Sequence, residues 1–300
     1  MSRLINLTDY HDAQKEFSAD RLWDLFDGDR DYMNLAHECV DRHRGKGRAI
    51  SIKHSNGNLE HIGYDELIRS SSQFAHFLKE NGINKGDRVA IILEPGKLFY
   101  TCLFGTIKRG AIAVPLFTLF GPDGLALRIK DCEPSAIVAE NGTLIRRQFP
   151  SIKVFGTEDK ILESLIDFPF DYKFETKSKD LSVYQYTSGT TRELPEAVKH
   201  TQRSVVTLMI AALFGSGLRP GDVYFCPSPP AWGHGLWHGT IAPLALGIHI
   251  VAYAGKFLPE MILEALGELE VNNFSAAATV YRMLRKSCSL SGHQIKITKC

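Results

Sequence analysis

Short apolar runs alternate with helix-spaced segments along most of this chain, and that alternation leaves few folds open. Over residues 64–81, Leu67, Ser71, Phe74 and Leu78 fall on one helical face, and Gly82 supplies the stop. A β-rich run follows at 88–93. Leu98, Phe99, Cys102, Leu103 and Ile107 then repeat with helical spacing up to Gly110. A buried strand is predicted at 111–114, ended by Pro115, then a helix over 125–131 and a strand at 136–139. The second half continues with strands at 181–186, 223–226 and 248–253, and helices over 201–214 and 259–269. Strands separated by helices of this length imply βαβ units with parallel pairing and right-handed crossovers. Residues 168–180 are irregular and charged, which suits a connector. The expected fold is therefore α/β, with two βαβ-type subdomains, parallel-rich sheets and flanking helices. The expected boundaries are 1–170 for the first subdomain and 171–300 for the second.

Composition narrows the classes. An apolar content of 44% is ample for a sizeable core, and a formal charge of +1 gives no nucleic-acid or membrane signal. No apolar run approaches the roughly 20 residues that span a bilayer. Residues 1–16 mix acidic and basic side chains without an apolar core, unlike a secretion signal or a transit peptide. The six cysteines are scattered with no C-x-x-C pair, as expected of reduced thiols in the cytoplasm.

The densest chemistry lies in residues 186–201, YTSGTTRELPEAVKHT. Thr187, Ser188, Gly189, Thr190 and Thr191 come directly after a strand. There, hydroxyls and successive backbone N–H groups can converge on one anion, and Gly189 permits close backbone approach. A polyphosphate suits that donor set best. The loop is not of Walker A type, because G-x-x-x-x-G-K-[ST] occurs nowhere in the chain. On composition alone an ordinary Ser/Thr-rich surface turn explains it equally well.

The order of residues resembles the phosphate loop of the adenylate-forming superfamily, which runs Y-T-S-G-T-T-G-x-P-K-x-V-x-H-T. The first six positions match, as does the tail Val198-Lys199-His200-Thr201. Between them, Arg192 stands where that family has glycine, one residue is inserted, and Glu196 replaces the lysine. A carboxylate there repels phosphate, and Arg192 or Lys199 is close enough in sequence to supply the missing cation. Residues 81–91, 108–116, 121–124 and 273–284 are also similar to segments of the family. The wording Thr279-Val280-Tyr281-Arg282-Met283-Leu284 resembles medium-chain and aromatic acyl-CoA synthetases.

The segment Pro227-Ser228-Pro229-Pro230-Ala231-Trp232-Gly233-His234-Gly235-Leu236-Trp237 combines irregular backbone with the large apolar surface of two tryptophans, as suits a concave pocket. The resemblance makes it part of an acyl-substrate pocket, with Trp232, Gly233, His234 and Gly235 near the substrate; a Trp-capped helix start in the core is the competing reading. His234 and His238, four apart, would share a face if the segment is helical and could then hold zinc with Cys226, but a hydrogen-bonded or solvated pair is the better reading and no metal site is expected.

The resemblance implies ATP-dependent activation of a carboxylic acid to an acyl-adenylate, then thioester formation with coenzyme A, with Mg²⁺ assisting. Thr187, Ser188, Gly189, Thr190, Thr191, Arg192, Lys199 and His200 would bind the nucleotide. The acid, ATP and coenzyme A are the implied partners; a homodimer stays open. The resemblance ends at residues 294–300, which read as a strand cut short, so the family's catalytic acid and lysine are expected beyond Cys300 and the chain alone should catalyse poorly. Two alternatives remain: a degenerate binding protein without chemistry, and an enzyme that loads a carrier-protein thiol.

Overall fold

A computed structural model of the chain describes residues 4–186, 196–287 and 294–300. Among these residues the strands are β1 (Arg48–His54), β2 (Leu59–Gly63), β3 (Arg88–Ile92), β4 (Ile112–Pro115), β5 (Ala136–Ala139), β6 (Lys153–Gly156), β7 (Leu181–Gln185), β8 (Val198–Thr201), β9 (Val223–Phe225), β10 (His249–Ala254) and β11 (Asn273–Phe274). They form two sheets, in the orders β6-β5-β3-β4-β7-β8 and β11-β9-β10-β1-β2. Pairing is parallel except at one edge of each sheet, where β8 runs antiparallel to β7 and β2 to β1. The parallel-rich α/β class expected from the sequence is what forms.

The strands are not divided at residue 170. The early hairpin β1–β2 completes the sheet otherwise made late in the chain, while β7 and β8 close the sheet made early. Adjacent residues of β3 show how one sheet serves two cores. Val89 and Ile91 join the largest apolar cluster, and Ala90 and Ile92 join a second one on the other face. The helices Tyr64–Glu80 and Lys97–Arg109 bury Phe74, Leu78, Phe104 and Ile107 in the large cluster, together with Ile50 and Ile52 of β1. Gly110 ends the second of these helices at φ +79°, a left-handed conformation that suits glycine. A third cluster packs the helix Pro259–Glu268 on β9, β10 and β11.

Two expectations are corrected at element level. Residues 201–214 were expected as one helix, but Thr201 closes β8, the helix is Ser204–Ile210, and Ala211–Gly215 widens into a π-turn. Residues 294–300 were expected as a strand. Only Lys299 bridges Asn273, while Ile295 and Ile297 pack on the third cluster. Among the described residues no helix is long and apolar enough to cross a membrane.

Candidate functional site

The carboxyl ends of β9 and β11 carry the site. Cys226 follows β9, and Pro227, Pro229 and Pro230 then lack the N–H groups that a further sheet strand would need. The backbone turns at Ala231, whose carbonyl accepts from Gln185 Nε2 at the end of β7. From there the chain enters a π-helix, His234–Ile241. Gly235 is required by packing, because a Cβ there would lie 2.2 Å from the carbonyl oxygens of both Ser228 and Pro229. One turn on, Gly239 would place a Cβ 3.1 Å from the Cys226 side chain.

This helix turns its histidines toward the Ser204–Gly215 helical segment. His200, His234, Trp237, His238, Ser204 and Thr207 are among the residues around a cavity of about 670 Å³. The size is in the usual range for a small-molecule site. His234 is oriented from both sides: Nδ1 lies 3.2 Å from Ser228 Oγ and 3.6 Å from Cys226 Sγ, and Nε2 lies 3.4 Å from Ser275 Oγ. Its ring centroid is 5.6 Å from that of His238, and the His200 ring lies 4.4 Å from that of Trp237. Burial holds all three imidazoles below their ordinary range, and His234 lowers His238 further. Burial likewise pushes the Cys226 thiol up, which makes it a weak nucleophile. Among the described residues, no three His, Cys, Asp or Glu side chains are gathered to hold a metal ion.

The structure separates the residues singled out from the sequence. Thr187, Ser188, Gly189, Thr190, Thr191 and Arg192 lie outside the described residues. Lys199 and His200, neighbours on β8, line different cavities. The Lys199 ammonium sits 5.4 Å from the Tyr184 ring centroid, in a second cavity of about 840 Å³ shared with Arg88, Asp131 and Asp180. Of the four proposed substrate contacts, Gly233 and His234 line the 670 Å³ cavity. Trp232 instead packs toward Phe117 with its ring 6.0 Å away, and Gly235 is pressed on backbone. Trp237 falls within the pocket segment singled out from the sequence; Ser204 and Thr207 were missed, because the sequence carried no signal that the helix after β8 would face the 234–241 helix.

Asp131 was also missed. At the end of the helix Pro122–Cys132, its Oδ2 accepts from the Tyr186 hydroxyl at 2.6 Å and from the Ala197 N–H at 3.1 Å. One carboxylate thus ties the residue that follows β7 to the residue that precedes β8.

Two parallel-rich sheets flanked by helices, with an open cavity between β8 and the helical segments 204–215 and 234–241, define an α/β protein. The chain belongs to the AMP-binding enzyme family, whose model matches residues 38–297. It is 28% identical to the acetyl-coenzyme A synthetase of Bacillus subtilis, over 93% of its own length and 52% of that protein's. It is 25% identical to the human mitochondrial acetyl-coenzyme A synthetase 2-like protein, over 85% and 42% respectively. Among solved structures, the Brucella canis acyl-CoA synthetase shares the fold with a TM-score of 0.86 at 24% identity, covering 94% of this chain and 54% of that one. The chain spans about half the length of the curated relatives it matches.

Proposed function

We propose that this chain is part of a cytoplasmic enzyme that uses ATP to activate a carboxylic acid and passes the acyl group to coenzyme A. In the first step a carboxylate oxygen bonds to the α-phosphorus, the α–β phosphoanhydride bond breaks, and pyrophosphate leaves. In the second, the coenzyme A thiol adds to the acyl carbon and AMP departs. The observation that carries the reading is the 670 Å³ cavity beside His200, on the strand that follows the Ser/Thr-rich motif. Membership of the AMP-binding family supports the nucleotide half.

For the acid, the wording of residues 279–284 favours a medium-chain or aromatic compound, and the cavity has room for one. Two relatives are named for acetate, a smaller acid. Thr187, Ser188, Gly189, Thr190, Thr191 and Arg192 remain the proposed phosphate contacts. Described residues offer no cluster of carboxylates for a bare ion, so Mg²⁺ would be held on nucleotide phosphate oxygens, where it neutralises charge. What the described residues contribute is an open cavity with imidazoles on its wall whose pKa values burial lowers.

The test is carboxylate-dependent exchange of labelled pyrophosphate into ATP by the protein expressed from its complete gene, with short, medium, branched and aromatic acids. Exchange with one acid class is expected. Folded protein that supports no exchange with any acid would refute acid activation and favour a binding protein without chemistry.

A further inference from the structure

The cavity wall has hydrogen-bonding capacity that the fold itself does not use. Ser204 Oγ accepts from the Thr201 N–H at 3.0 Å and lies 3.2 Å from Thr201 Oγ1, and Thr207 Oγ1 donates to the Ser204 carbonyl at 3.1 Å. The nitrogens of His234 face Ser228, Cys226 and Ser275. By contrast, the ring nitrogens of His200 and His238 have no hydrogen-bond partner among the described residues, although both side chains are half-buried. Each of these two rings is fixed from one side, His200 by the Trp237 ring and His238 by the His234 ring.

A wholly apolar ligand would take water from these two imidazoles and give nothing back, which is how a site rejects a ligand lacking the right polar group. Their charge state decides what kind of group completes them. Burial keeps the neutral form dominant at neutral pH, so each ring offers one N–H donor and one lone-pair acceptor. No Lys or Arg is among the described residues lining this cavity, so a second carboxylate would find no counter-charge among them.

We propose that the acid bound here carries a second, uncharged hydrogen-bonding group, a hydroxyl or oxo oxygen on its chain or ring, held by the ring nitrogens of His200 and His238. This rests on the acid-activation reading above and refines it from carboxylic acids in general to hydroxy or oxo acids, aliphatic or aromatic. His234, held by the two serines, is the positioning residue that keeps His238 in place.

Pyrophosphate exchange is measured with sets of acids of equal length that are unsubstituted, hydroxylated, oxo-substituted or dicarboxylic. The hydroxy or oxo acid is expected to exceed its unsubstituted counterpart in kcat/KM by about tenfold or more. His238→Leu and His200→Leu should each bring that ratio toward one. In parallel, the imidazole C–H signals of the unaltered chain are followed by NMR as the same acids are added without nucleotide. The signals of His200 and His238 should move with the hydroxy acid more than with its unsubstituted counterpart, a readout that survives if a variant fails to fold. Exchange that favours unsubstituted or dicarboxylic acids overturns the inference and leaves acid activation standing. A hydroxy-acid preference unchanged in both variants, or unmoved His200 and His238 signals, also overturns it. Absence of exchange with every acid overturns both readings.

Discussion

Lys108 shows why a residue's chemistry is not readable from its type alone. It falls in the last turn of the helix Lys97–Arg109, yet only 1% of its side chain is exposed. Its ammonium pairs with Asp41 Oδ1 at 2.6 Å and donates to the Ile68 carbonyl at 3.1 Å and Ser72 Oγ at 3.0 Å. Burial lowers its pKa and Asp41 works against that shift, so the charge is tolerated only while the partner remains. Asp41→Asn should therefore cost about 3–5 kcal/mol, because it strands a buried cation. Lys108→Met should cost clearly less, since the apolar side chain fills the same space and the partly exposed Asp41 regains water. Urea unfolding of both variants checks this, and equal losses would show that the pair acts as a single packing unit. The buried polar residues of β1 follow the same logic. Ser51 Oγ lies 2.8 Å from both His61 Nδ1 and His249 Nε2, and Lys53 pairs with Glu264 and Glu268 at 3.2 and 3.0 Å. These partners come from β2, β10 and a late helix.

At the scale of elements, legibility followed the source of each element's stability. Strands β3, β4, β5 and β10 and the helix Tyr64–Glu80 carry their apolar period in their own residues, and the sequence located them within a residue or two. Strand β1 was missed although Ile50 and Ile52 alternate with Ser51 and Lys53; what the alternation does not reveal is that both polar residues are buried beside partners from distant elements. A helical reading of His234–His238 was open from the sequence, but the π geometry of His234–Ile241 and the close packing of Gly235 on Ser228 and Pro229 were not. Of the site, the pocket segment and the His234–His238 spacing were legible; the meeting of His200 with them is a product of folding. Asp131 makes a prediction at this scale, because it joins the helix Pro122–Cys132 to the end of β7 and the start of β8. Asp131→Ala should cost about 1–3 kcal/mol by leaving the Ala197 N–H without its acceptor and Tyr186 with only the Arg128 carbonyl. Tyr186→Phe should cost less. The double variant should fall short of the summed losses by at least about 0.5 kcal/mol, as for residues sharing one hydrogen-bond network. Strict additivity in denaturant unfolding would mean that Asp131 holds the two strands independently.

For the whole molecule, interleaved sheets make the two halves of the chain mutually dependent, so a local charge imposed by pH acts on the entire fold. The relevant groups are buried histidines. Burial, with Lys46 and Arg42 nearby, lowers His43 to about 4, and burial, with Arg48 and His61, lowers His249 to about 4. Above the ordinary imidazole pKa of about 6.5 both are neutral, folded or unfolded, and their burial carries no protonation cost. As pH falls from about 6.5 towards 4 the unfolded chain takes up protons that the folded chain refuses, so stability declines throughout that window and levels off below it. Each group can account for about 3 kcal/mol over the full window, a large share of the 5–15 kcal/mol typical of a folded domain. Glu158, lowered to about 2 by backbone and Thr143 hydrogen bonds, and Asp29 and Asp180, held below the usual range, titrate at lower pH, so the early loss is assignable to imidazoles. Urea midpoints should fall steadily between pH 7 and 5, with a smaller fall in His249→Gln, whose amide can still bond to Ser51. A midpoint flat across that interval would mean that the folded protein admits protons at both sites, and that these histidines are less isolated from water than their packing indicates.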